Sequence, residues 1–130
     1  GVILNLCCYY GKRYGSDKDV FFDNADIFVF PTSYPNECFP LVLLEAMQHN
    51  LPCISTTEGG IPDIIDDGKI GFLVPKYNAQ TLAEKIQVLL TDAELRQRMG
   101  KAGREKFEKD FTLEVFEKRM DEILNNMCLI

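Results

Sequence analysis

A chain of 130 residues, 46% hydrophobic and 26% charged, has the size and composition of one globular domain, long enough for one core and too short for two. Its net charge of −6 argues against nucleic acid as a partner, because a phosphate backbone is gripped by clustered Lys and Arg. No apolar run approaches the ~20 residues that cross a bilayer, and the N-terminus lacks the layout of a signal peptide, so the expected compartment is the cytoplasm.

In chain order, Val2–Cys8 is predicted as a strand ending at Gly11, followed by a short helix over Ser16–Asn24. Asp26–Phe30 predicts a buried strand stopped by Pro31, and the segment Thr32–Cys38, with its proline and asparagine, predicts a loop. Pro40 suits the first position of a helix running to about His49, where its missing N–H costs nothing, and Asn50 suits a left-handed end before Leu51-Pro52. Cys53–Ser55 predicts the next strand, Gly59-Gly60 a turn, Pro62–Asp66 a short helix, and Gly71–Val74 a strand closed by Pro75.

Beyond residue 76 the pattern is helical. Asn78 is expected to cap a helix through Leu90, and Thr91-Asp92-Ala93-Glu94 has the form of a capping box that opens another. Thr112 is expected to cap a last helix whose Leu113, Phe116, Met120, Ile123, Leu124 and Met127 make one apolar stripe, read as core. Short strands alternating with helices predict an α/β fold with a mainly parallel sheet. Three or four strands are few for such a sheet, so the chain is expected to be a single incomplete domain that begins partway through.

The chemistry concentrates around Glu37 and Glu45. In open α/β sheets ligands bind beyond the carboxyl ends of the strands, where a loop leads into a helix N-terminus. The amides of Leu41 and Val42, just after Pro40, are placed to meet an anion with the helix dipole behind them. Glu45 lies five residues past Pro40, roughly 7–8 Å along the axis at ~1.5 Å per residue, so the two acids cannot share one atom. They could instead grip two ends of an extended ligand. Two plainer readings stand beside this one, in which Glu45 caps a neighbouring loop and Glu37 is a solvated loop acid. An acid on so apolar a helix does require a partner of some kind.

Ala25–Thr32, Glu37–Met47, Leu51–Ser55, Gly59–Ile65 and Gly71–Val74 occur in an order that resembles the C-terminal, donor-binding domain of GT-B retaining glycosyltransferases, the GT4 or "glycosyl transferases group 1" family. The likeness runs from about Tyr9 onward, and the E-x7-E signature of that family falls on Glu37 and Glu45. It implies a partial Rossmann-like parallel sheet flanked by helices, forming part of an enzyme that moves a hexose from a nucleotide-diphosphate sugar to a glycan or lipid-linked acceptor. By the likeness Glu37 is the catalytic carboxylate, contacting the donor sugar, and Glu45 accepts hydrogen bonds from the ribose. The backbone around Cys38, Phe39, Pro40 and Leu41 would hold the diphosphate, with Leu41 the better hydrogen-bond donor because Pro40 has none. Tyr10, Gly11 and Lys12 would lie beside the base. No metal and no cofactor is implied.

Two departures from the family pattern stand out. Asn50 replaces a usual Gly, which is tolerable because Asn also visits the left-handed region. The acceptor-binding domain, the first strands of the donor domain and their pyrophosphate-binding Arg/Lys pair have no counterpart in the sequence. The chain alone is therefore expected to be inactive, and in the intact enzyme the protein would be cytoplasmic, peripheral at the inner face of the membrane. A non-catalytic nucleotide-binding or interaction module is the alternative. A flavodoxin-like receiver domain is disfavoured, since no acidic cluster closes an early strand.

Other candidates attract plainer readings. His49 is the only histidine and reads as a cap or solvated residue. The five cysteines have no metal-ligand spacing and read as reduced thiols, Cys38 being a loop thiol beside Glu37. Should part of the Phe116/Met120/Ile123 stripe stand exposed, it would promote self-association.

Overall fold

The computed structural model of the chain describes residues 11–35 and 39–127. Three parallel strands lie side by side in chain order: β1 (Phe28–Phe30), β2 (Cys53–Thr56) and β3 (Gly71–Val74). Phe28 stands opposite Cys53, and Cys53 opposite Gly71. Parallel neighbours cannot be joined by a tight turn, so a helix crosses between each pair: α2 (Leu41–Gln48) after β1 and α3 (Ile61–Ile64) after β2. Helix α1 (Ser16–Asn24) precedes the sheet, while α4 (Ala79–Thr91), α5 (Ala93–Asp110) and α6 (Leu113–Asn126) follow it. This is the α/β layering expected, with a parallel sheet flanked by helices. The strand expected over Val2–Cys8 lies outside the described residues.

Side chains alternate between the two faces of the sheet, and both faces are covered, which explains why the strands are largely apolar. Phe28, Phe30, Cys53 and Leu73 join the cluster built on Leu43, Ala46, Met47, Ile61, Ile64 and Ile65. Val29, Ile54, Phe72 and Val74 join Leu89 and Met99 on the opposite face. Helix α5 serves both, giving Leu95 and Met99 to the second cluster and Ala102 and Phe107 to the first.

Boundaries move by a residue or two from the sequence reading. The first strand is only Phe28–Phe30, the second extends to Thr56, and α3 starts at Ile61 and stops where Ile65 turns extended. Asn78 and Thr112 cap α4 and α5's successor as expected, accepting from the Thr81 and Val115 amides at 3.0 and 3.3 Å. The capping box at Thr91 does not form. Thr91 ends α4, its hydroxyl donating to the carbonyls of Gln87 and Val88, and Asp92 caps α5 by accepting from the Leu95 amide at 2.9 Å. A carboxylate at that position also meets the positive end of the helix dipole.

The apolar stripe of α6 is likewise not core. No residue of α6 is buried, and Leu113 and Phe116 are 71% and 60% exposed. Among the described residues the stripe is left largely uncovered, although Phe116 lines a pocket with Phe39, Leu44 and Phe111. None of the described helices is long and apolar enough to cross a membrane.

Two details fix the position of α2, the helix that follows the candidate site loop. Asn50 takes the expected left-handed conformation (φ 58°) and turns the chain back into β2. Helix α5 then crosses this turn so closely that a Cβ at Gly100 would lie 2.0 Å from the carbonyl oxygen of Asn50. Nearby, Arg104 Nη1 donates to the Gln48 carbonyl at 2.6 Å, placing a cation at the negative end of α2. Gly100→Ala is expected to lower stability by about 1–3 kcal/mol through backbone displacement, read as an earlier urea midpoint. Lys101→Ala, on the exposed side of the same turn, should change it by less than about 0.5 kcal/mol.

Candidate functional site

The site begins at the carboxyl end of β1. Two buried hydroxyls on β2 anchor the loop that leaves it: Ser55 Oγ donates to the Phe30 carbonyl and Thr56 Oγ1 to the Thr32 carbonyl, each at 2.7 Å. Buried polar groups require such partners, and here the partners are the backbone of the site loop itself. Tyr34 N–H adds a bond to Thr32 Oγ1 at 3.2 Å. Sequence reasoning passed over Ser55 and Thr56. Their signal was the presence of two hydroxyls where a buried strand would otherwise be apolar.

The loop enters α2 through Pro40, which is the N-cap and not the first helical residue. Its backbone is extended (φ −72°, ψ 110°), and its carbonyl accepts from the Leu43 amide at 3.2 Å. The shift of one position leaves the argument about the amides intact. Leu41 and Val42 occupy the first turn, where N–H groups have no acceptor within the helix and the dipole is positive. Phe39 turns its ring edge-on to Phe111 at 5.8 Å and 62°, pinning the loop to the end of α5. Its side chain therefore serves packing, and only its backbone is left to meet a ligand.

Glu45 stands one turn further along α2. Its demand for a partner is met by Lys18 of α1, whose Nζ lies 2.9 Å from Oε1 and 2.7 Å from Oε2. The reading of Glu45 as a cap for a neighbouring loop is thereby replaced by an ion pair between helices. Both side chains are about one-third exposed, at 35% for Lys18 and 30% for Glu45.

Helix α1 is held to α2 at a second place. His49, the C-cap of α2, puts Nδ1 2.7 Å from Asp23 Oδ1 and Nε2 3.3 Å from Asp19 Oδ1. Its ring stacks on Phe22 with centroids 5.1 Å apart and planes 12° from parallel. His49 is thus a cap as expected, but it is also a clasp between helices, and its side chain is only 18% exposed.

Between α1, β1 and the start of α2 lies an open groove of about 450 Å³. Gly11, Arg13, Lys18, Phe21, Phe28 and Val42 line it. Gly11, expected beside a base, sits at its mouth with φ 76°, a conformation that suits glycine. Arg13 and Lys18 supply its positive charge, and Arg13 also lies over the Phe21 ring at 5.9 Å. Lys12 is exposed and takes no part in the lining. Tyr10, Glu37 and Cys38 lie outside the described residues; of the others, Gly11 lines the groove, Pro40 caps α2, Leu41 and Glu45 lie on it, and Glu45 reaches the groove wall through Lys18. Cys53, described and fully buried, has its thiol pushed up to about 12 by burial and is no candidate nucleophile. No group of metal-ligating side chains occurs among the described residues.

Residues 3–106 match the family model described as glycosyl transferases group 1. The chain is 34% identical over 113 residues to the capsular polysaccharide biosynthesis glycosyltransferase CapM of Staphylococcus aureus, covering 87% of this chain and 29% of that protein. It superposes on the C-terminal domain of a glycosyl transferase group 1 family protein of Francisella tularensis with a TM-score of 0.70 and 29% identity, covering 79% of this chain and 52% of that one. An Anabaena protein, HepE, solved in complex with UDP, shares the fold with a TM-score of 0.80 at 21% identity, covering 87% of this chain and 31% of that one. The chain spans less than a third of the length of the Staphylococcus relative.

The clasp can be tested by itself. His49→Ala is expected to loosen α1 from α2, so that amide hydrogen exchange in α1 accelerates several-fold while α5 keeps its protection. Uniform acceleration in both helices would show that the clasp serves the whole fold.

Proposed function

The chain belongs to the glycosyl transferases group 1 family, and on that premise we propose that it forms the donor-binding part of a retaining, GT-B-type enzyme of the GT4 group. In this reading a nucleotide-diphosphate sugar lies across the carboxyl end of β1. The diphosphate meets the first-turn amides of α2, the ribose hydroxyls meet Glu45, and the base enters the groove between α1 and β1. The observation that carries the reading is the convergence of an open helix N-terminus, a carboxylate one turn along the same helix, and a groove bearing Arg13 and Lys18. Support comes also from HepE, a protein of the same fold solved with UDP.

The first-turn amides of α2 would stabilise the leaving diphosphate without a metal ion or other cofactor, because fixed dipoles aimed at developing charge do this work in a water-poor site. Glu37 would serve the sugar as the catalytic carboxylate. Transfer would proceed to a glycan or lipid-linked acceptor held by a further domain, in the cytoplasm and at the inner face of the membrane. The uncovered stripe of α6 would serve self-association of the isolated chain.

Calorimetric titration of the 130-residue chain with UDP, GDP and ADP is the direct test. Binding of at least one nucleotide is expected, unchanged by a chelator and weakened about tenfold or more by Glu45→Ala, the loss of charge-assisted hydrogen bonds worth about 1.5–3 kcal/mol each. No sugar transfer by the chain alone is expected. Binding of none of the three nucleotides would overturn the donor reading, and transfer by the chain alone would overturn its dependence on a further domain.

A further inference from the structure

The ion pair between Lys18 and Glu45 joins residues far apart in sequence, and its Lys18 lines the groove. An ion pair this exposed contributes little to folding, typically about 0–1 kcal/mol. Its geometry is nonetheless specific. The ammonium lies within 2.9 and 2.7 Å of the two carboxylate oxygens and donates its hydrogen bond to Oε1. A carboxylate offers about four lone-pair directions, so both oxygens keep room for further donors.

Helix α1, which carries Lys18, is itself clasped to α2 by His49 through Asp19 and Asp23. Lys18 is therefore presented to Glu45 from a braced helix and directs the Glu45 carboxylate toward α1. A pre-oriented acceptor binds a pair of hydroxyls at a smaller entropic cost than a free one.

We propose that Lys18 is a positioning residue for ribose recognition: it orients the Glu45 carboxylate so that its remaining lone pairs accept from the two vicinal hydroxyls of the nucleotide. The ligand class this selects is a ribonucleotide with a free 2′,3′-diol. The proposal rests on the donor reading given above. Lys18 touches neither the sugar nor the phosphate in this scheme and acts through Glu45 alone.

The test is a two-by-three comparison by calorimetry, with UDP, GDP and ADP and their 2′,3′-dideoxy counterparts, on the wild-type chain, Lys18→Met and Lys18→Arg. The wild type is expected to prefer the diol form about tenfold or more. Lys18→Met, which keeps the length of the stem, is expected to weaken diol nucleotides about five- to tenfold and leave the dideoxy forms unchanged, so that the preference collapses. Lys18→Arg, which can also span both oxygens, is expected to restore most of it. Melting temperatures of all three proteins should stay within a few degrees.

An undiminished diol preference in Lys18→Met would overturn the proposal. So would equal weakening of both nucleotide forms, which would make Lys18 a general attractor of phosphate charge. Equal binding of both forms by the wild type would overturn the ribose role of Glu45 while leaving nucleotide binding standing. Binding of no nucleotide by the wild type would overturn the donor reading itself.

Discussion

Everything at the site depends on how firmly α2 is seated. Leu43, Ala46 and Met47 have no exposed surface, so one face of the helix is committed to the sheet. Burial alone would still let a short helix slide along its axis. The carboxyl end is stopped by the left-handed Asn50 and by the backbone of α5 arriving at Gly100, while Arg104 meets the Gln48 carbonyl. With that end fixed, the amides at the other end and the carboxylate of Glu45 have only one place to be. The site is a by-product of packing two turns away.

Helix α1 is attached in a different manner. It gives Phe22 to the core and otherwise meets α2 through polar contacts, Lys18 with Glu45 and His49 with two aspartates. Such contacts hold orientation well and stability poorly.

Much of this was legible in the sequence, and what was missed has a common cause. Strands, helix order and the Asn78, Asn50 and Thr112 ends rest on local chemistry, which a sequence states directly. Thr91 against Asp92 was lost because two good capping residues stand side by side, and the hydroxyl found carbonyls of its own helix. The α6 stripe has the periodicity of a core helix, but periodicity says only that a face wants cover, not whether cover is there. Lys18, Asp19, Asp23 and His49 could not be joined in advance, since no spacing rule connects charged residues on different helices. Lys12, Arg13 and Lys18 do stand close together in an acidic chain, and two of the three line the groove.

The strand order has a consequence for how the protein is made. Each described strand pairs with the next described strand in the chain, Phe28 with Cys53 and Cys53 with Gly71. That order lets this part of the sheet grow in the direction of synthesis, strand by strand. The seat of α2 is another matter, because the backbone that stops it belongs to α5. A nascent chain thus carries α2 long before it carries the residue that locks it. The helix is seated only once the segment around Gly100 has left the ribosome, and a polypeptide cut short before that point would display Glu45 without the means to hold its helix still.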